Sequence, residues 1–252
     1  MQMTDLTKIV SVFWKKVGIL IVLTPILYFD GTHFASIFPY GQQALTALVA
    51  IAFLIFYRRA RRRIRRMYVY ILIFGPFLEY TMSLGLDMYS YRLNHVPLYA
   101  FLMHAICIGR IFEFSRFMLT TTYDKILVKY LYVFLILHTG ITLFFFNDIF
   151  GFVMTLGVVI LLAIRPKYRV FFLTWHVLIT FGELSGVFFG AWTWPPIAFD
   201  FFEVLPSHSP PSGISLFYYI LELGAFSIYI LVHKNVWNRF KHIKKYQLSK
   251  NS

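Results

Sequence analysis

Residues 58–86 read RRARRRIRRMYVYILIFGPFLEYTMSLGL. Seven of the first nine are arginine, and the twenty that follow carry one charged residue, Glu79. An apolar stretch of about 20 residues crosses the ~30 Å hydrocarbon core of a bilayer as a helix. A dense basic run beside it marks the cytoplasmic flank. The stretch therefore predicts a membrane helix over 67–86 that starts on the cytoplasmic side.

The rest of the chain reads the same way. Of its 252 residues, 59% are hydrophobic and 14% charged, against about 25% charged in a soluble domain. Eight apolar segments are expected as helices, near 8–29, 42–57, 67–86, 97–120, 125–146, 149–164, 170–190 and 214–233. Lys15 and Lys16, Lys125 and Lys129, Arg165-Pro166-Lys167-Tyr168-Arg169 and the tail from Lys234 to Lys250 all fall on the side of the arginine run. The opposite side holds Arg92 and almost no other cation. The expectation is an all-α, polytopic membrane helix bundle with both termini cytoplasmic. It forms one domain over 1–252, ends in a basic cytoplasmic tail over 234–252, and belongs to a bacterial inner (plasma) membrane.

The net charge of +13 then follows from topology and does not call for a nucleic-acid partner. The run Arg58–Arg66 is expected to lie against anionic lipid headgroups. One cysteine, Cys107, leaves no disulfide frame and no CxxC site. No A-x-A-like cleavage site follows the first apolar stretch, so that stretch is expected to stay as a helix.

Of five glutamates, four (Glu79, Glu113, Glu183 and Glu222) lie inside apolar segments. An ionised, unpaired carboxylate near the centre of a membrane helix costs roughly 2.5–3.5 kcal/mol or more, so each needs a reason. Glu113 has Arg110 and Arg116 three residues away on either side, the spacing of an ion-pair ladder on one helix face. Glu79 and Glu183 sit at matching places in two halves, 1–120 and 121–252. In each half a basic anchor leads through an apolar run to Glu, then aromatic-x-aromatic, then proline. The first version is Arg66, Glu79, Tyr89-Ser90-Tyr91, Pro97. The second is Arg169, Glu183, Trp192-Thr193-Trp194, Pro195. With four helices per half the repeats are parallel, and their interface is the expected site.

At 1.5 Å per residue, Glu79 stands ~20 Å and Glu183 ~21 Å above their basic anchors, and Glu222 stands ~17 Å above the same side. His104 and His138 fall at the same level. His176 lies two turns below Glu183 on roughly its face. Glu79 and Glu183 are the expected acid and base, with Glu222 and His104 in support. Asp87, Tyr89, Tyr91, His138, His176, Trp192 and Trp194 are the expected substrate-binding residues. The long loop over 191–213 is read either as a cap over this layer or as a plain aromatic anchor.

The sequence has no HExxH, no P-loop, no HxxxH cluster and no DDxxD pair, so neither metal nor cofactor is expected. Gly182-Glu183-Leu184-Ser185-Gly186 is not a nucleophile elbow. What remains is carboxyl chemistry. An unpartnered carboxyl group in an apolar site favours its protonated form and can give the proton to a weak base such as an alkene. Aromatic faces stabilise the cation that results.

The series Glu79, Gly85, Tyr89-Ser90-Tyr91 and Val96-Pro97-Leu98-Tyr99 resembles the integral-membrane carotenoid-biosynthesis proteins, which include hydratases acting on lycopene-type chains. Gly190-Ala191-Trp192-Thr193-Trp194 is similar to an aromatic form of the same element. The resemblance covers residues 79–102 and 183–196 and implies water addition to, or cyclisation of, a polyene end group. Two functions therefore stand side by side, ahead of a third, a non-catalytic assembly or scaffold protein whose acids are simply paired in the bundle. One is a lyase or isomerase that acts on an isoprenoid or other lipid. The other is a transporter whose midplane carboxylates hold a proton or small solute.

Overall fold

The computed structural model describes residues 3–232. The chain opens with an irregular span: α1 (Met3–Phe13), a π-helical turn over Trp14–Gly18, α2 (Ile19–Val22), a 3-10 stretch over Thr24–Asp30, and α3 (Thr32–Ile37). Pro25 lies in the first turn of the 3-10 stretch. It has no N–H to continue the α-helical ladder, which is why the plain helix expected over 8–29 is broken at Leu23.

There follow α4 (Gly41–Arg59), α5 (Arg62–Tyr80), a π-helical turn over Thr81–Gly85, the short strand β1 (Ser90–Tyr91) and α6 (Leu98–Ser115). Next come α7 (Met118–Thr122), α8 (Asp124–Phe146), α9 (Ile149–Ile164) and α10 (Arg169–Phe189). The strands β2 (Trp192–Thr193), β3 (Ile197–Ala198) and β4 (Phe202–Pro206) precede α11 (Ser215–Val232). Arg62 to Arg66 form the first turns of α5 and not a loop, in keeping with the good helix propensity of arginine. The single helix expected over 97–120 is two, because α6 stops at Ser115. The tail over 234–252 lies outside the described residues.

Among the described residues, six helical segments are long and apolar enough to cross a membrane, and the apolar α9 is shorter. The protein is thus a mostly helical bundle of the multi-pass membrane type. Its surface agrees with that assignment. Phe144, Phe145 and Phe188 are 84%, 79% and 83% exposed, while glutamates and a histidine are buried (Glu79, Glu183, His176). This inverts the soluble pattern and suits a lipid solvent.

α6 and α10 form the centre. α6 packs on α4, α5 and α10, and α10 packs on α8, α11 and the 3-10 stretch of the first span. Basic side chains gather at one end. There Glu113 binds Arg110 at 3.0 Å and Lys16 at 2.8 Å. The expected partner Arg116 lies instead over the Phe112 and Tyr168 rings. Lys16 arrives from another helix and takes the second position of the ladder.

The strands occupy the opposite end. β1 and β2 pair antiparallel, Ser90 with Thr193 and Tyr91 with Trp192, and the Arg92 N–H donates to Ala191 O at 2.9 Å. β3 and β4 form a separate hairpin. Below it the buried Asp148 caps α9 and accepts the backbone N–H groups of Gly151, His208 and Ser212 at 3.0, 3.0 and 2.8 Å. A second buried carboxylate, Asp30, accepts from Arg92, Tyr99 and Gln42 at 2.7, 2.7 and 3.0 Å. It fastens the first span to the segment that follows β1.

Candidate functional site

The β1–β2 rung is short, yet it organises the site. Alternate residues of a strand face the same way, so Tyr89 and Tyr91 point one way and Ser90 the other, with Trp192, Trp194 and Thr193 likewise. Ser90 and Thr193 meet on the exposed face, their hydroxyls 3.1 Å apart. The four aromatic side chains turn into the bundle. Tyr89 packs on Trp194 at 4.7 Å between ring centroids and Tyr91 on Trp192 at 5.9 Å.

Each pair then serves one glutamate. The Tyr89 and Tyr91 hydroxyls donate to Glu79 Oε2, the latter at 2.9 Å. The Trp192 and Trp194 indole N–H groups donate to Glu183 Oε2 at 2.8 and 3.1 Å. Burial first, and then the Glu79 charge, push both phenols well above the ordinary tyrosine range. They stay protonated as donors.

Two glycines make the second arrangement fit. Gly190 ends α10 in the left-handed region, φ +72°, which only glycine enters without strain. Gly186, one turn past Glu183, leaves space that the Trp192 indole fills; a Cβ there would overlap the ring.

The other carboxyl oxygens are matched as well. Glu79 Oε1 lies 3.1 Å from His104 Nε2, and Glu183 Oε1 accepts the Tyr218 hydroxyl at 2.6 Å. His104 and Tyr218 stack, 5.1 Å between centroids and 28° between planes, and Trp175 stands edge-on to both. The two carboxyl groups are thus joined through one imidazole–phenol stack.

Donor chemistry fixes where protons can sit. Indole N–H groups only donate, so Glu183 Oε2 is always an acceptor. A proton on Glu183 therefore sits on Oε1, facing Tyr218. On the other side the exchangeable proton lies between Glu79 Oε1 and His104 Nε2. His104 Nδ1 has no partner among the described residues.

Beside the stack lies a cavity of about 180 Å³. His104, Glu183, Tyr218 and Trp175 line it together with Tyr89, Tyr91, Tyr99 and Trp192, and most of the remainder is aliphatic, including Leu27, Ala100, Ile106 and Ile179. Glu79 does not reach it. That side chain stands behind His104, in a separate pocket of about 20 Å³ with Met82, Met88 and Phe217.

The structure therefore brings together Glu79, Glu183, His104, Tyr89, Tyr91, Trp192 and Trp194. Other expected site residues fall elsewhere. Asp87 is exposed in the irregular segment between the π-helical turn and β1, with φ 47°. His138 and His176 form their own pair between α8 and α10, 5.6 Å between ring centroids, with His176 Nδ1 2.9 Å from Ser215 Oγ. Glu222 is on α11, and its side chain lies outside the described residues.

Sequence reasoning missed Tyr218, Trp175, and the Asp30–Arg92 pair. A signal existed for two of these. Tyr218 is one turn before Glu222 on the last helix, and Asp30 closes an apolar run on the side where Arg92 is the conspicuous cation. Compared with known proteins, the chain matches no protein-family model, no curated protein and no solved structure.

Proposed function

We propose that the chain is a membrane-embedded enzyme of the lyase or isomerase type, using buried carboxyl groups for acid/base chemistry on a C=C bond of an isoprenoid or similar lipid. One observation carries this reading: Glu183 and His104 border the same apolar cavity, and Glu79 backs His104 at 3.1 Å. Glu183 is the acid, giving the Oε1 proton to one alkene carbon. The Trp175, Trp192 and Tyr218 rings stabilise the carbocation left on the other carbon. His104, oriented by Glu79, is the base. It takes a proton from the neighbouring carbon, which shifts the double bond or follows ring closure. In hydration it takes a proton from a water whose oxygen bonds to the cation, and the net change is H and OH added across the double bond. The reaction is the one implied by the resemblance to carotenoid hydratases.

We read the halves as a parallel duplication in an eight-helix bundle with both termini cytoplasmic. Support comes from the matched sets around Glu79 and Glu183: two aromatic donors from one strand on Oε2, and one group from the next long helix on Oε1. A transporter reading is less favoured, because most of the cavity wall is apolar and its tyrosine hydroxyls already bond to the protein's own carboxyl groups.

The test is expression in a host that makes acyclic polyenes, with lipids profiled by mass. A new product is expected from the wild type and its loss from Glu183→Gln and His104→Gln, with Glu79→Gln reduced. No new product from the wild type, or the same yield from Glu183→Gln and Glu79→Gln, refutes the proposal.

A further inference from the structure

We infer that the cavity holds the end of a single hydrocarbon chain that enters sideways from the bilayer, between the first span and α4, while the rest of the chain stays in the membrane. The identity of the guest rests on the lipid reading above. Its route rests on geometry alone.

The walls are unequal. Deep in the cavity, Leu27 and Ile179 are buried. At the other extreme Leu23 and Leu48 also line it, yet they are 49% and 47% exposed. Each of these leucines thus lines the cavity and also faces the exterior, so here the wall is about one side chain thick, and the proposed mouth is placed at them. Around them the outer surface is aliphatic, with Ile19, Val22 and Ile51 also exposed.

The mouth is at mid-membrane depth. Leu48 is seven residues from Gly41 and eleven from Arg59, the ends of α4, or about 10 and about 16 Å along the helix. At that depth the bilayer presents only hydrocarbon. Leu23 sits in the break between α2 and the 3-10 stretch, where the irregular backbone interrupts close helix packing.

Both axial routes are covered. The strand end is roofed by Tyr89, Tyr91 and Trp192, which line the cavity from above. Towards the basic end lies Phe56, with the Arg110 guanidinium 5.4 Å from its ring centroid. The side is left as the entrance.

Size limits the guest. A ~150 Å³ apolar cavity holds one benzene, so about 180 Å³ admits an end group and not a whole polyene or acyl chain. The site should discriminate the terminus it receives and disregard overall chain length. A molecule with two alike ends would visit twice.

The experiment uses full-length protein in phosphatidylcholine vesicles with a palmitic-acid probe carrying a diazirine at its methyl end. Irradiation and peptide mapping locate the adducts. Adducts are expected on the inner wall, at Ala100, Met103 or Cys107, as well as on the lipid-facing Phe144 and Phe145. Leu23→Trp and Leu48→Trp should lower the inner adducts by about fivefold or more, as expected when an indole fills the passage, with the Phe144 and Phe145 adducts unchanged. Glu183→Gln should keep the inner adducts while product formation is lost, so a failure of the catalytic reading is told apart from a failure of this one. Wild-type adducts confined to Phe144, Phe145 and other surface positions overturn the inference, whether or not the tryptophan variants fold. So do undiminished inner adducts in both folded tryptophan variants.

Discussion

Gly186→Ala sets two effects of opposite sign against each other. On helix propensity alone, alanine in place of an interior helical glycine stabilises by about 1 kcal/mol. Here the new methyl would overlap the six-membered ring of Trp192. Overpacking of this kind costs about 1–3 kcal/mol. Moving the indole also breaks the 2.8 Å bond to Glu183, worth about 1 kcal/mol or more. The losses exceed the gain, and a net destabilisation of ~1–3 kcal/mol is expected. Gly182→Ala is the matched control, one turn earlier in α10, because no atom lies within 4 Å of its Cβ position; it should stabilise by up to about 1 kcal/mol. Unfolding in mixed micelles with increasing dodecyl sulfate reads both. Adding Trp192→Ala to Gly186→Ala should cost less than the two changes summed, since the clash is then gone. A Gly186→Ala protein as stable as Gly182→Ala would refute the packing argument and with it the placement of Trp192 on Glu183.

Three further outcomes are expected. Asp30→Asn removes the carboxylate charge opposite Arg92, which keeps its Nε bond to the Asp30 backbone carbonyl, and should cost about 3 kcal/mol in the same unfolding assay, more than the double change Asp30→Asn with Arg92→Met. The Tyr89 and Tyr91 phenols are held well above 10.0, so the native state keeps protons that unfolded tyrosines lose. Their stability contribution is full below about pH 10 and falls as pH rises, by up to ~1.4 kcal/mol per group per pH unit; unfolding curves across that range check it, and Tyr89→Phe should flatten the slope. Tyr218→Phe keeps the ring on His104 but removes the hydroxyl at Glu183. It should cost about 1 kcal/mol of stability and lower kcat with little change in KM, read by product formation in vesicles.

The parts of the fold that were legible are those written in local sequence. Twenty apolar residues beside an arginine run predict a span wherever they occur. Aromatic-x-aromatic put two rings on one face whatever the partner, so Tyr89 with Tyr91 and Trp192 with Trp194 were found as pairs and grouped with Glu79 and Glu183. A helix rises a fixed distance per residue, so height along it can be counted from sequence, but rotation cannot. His138 and His104 are expected at one level, yet the α8 residue faces His176 and the α6 residue faces Glu79. Glu79 and Glu183 do not meet for a related reason: His104 and Tyr218 stand between them, and their facing depends on how α6 and α11 turn. Long-range partners were equally hidden. Arg92 reaches Asp30 across 62 positions, and Lys16 reaches Glu113 across 97. The break in the first span came from Pro25, which a count of apolar residues overlooks.

Asp148 holds residues 208–212 to the start of α9 through three backbone N–H groups. In many secreted proteins a disulfide does that task, but this chain has a single cysteine. The longest interhelical loop is therefore fastened by a carboxylate that no thiol exchange can open or scramble. It needs no oxidant to close, and the fastening itself has no redox chemistry.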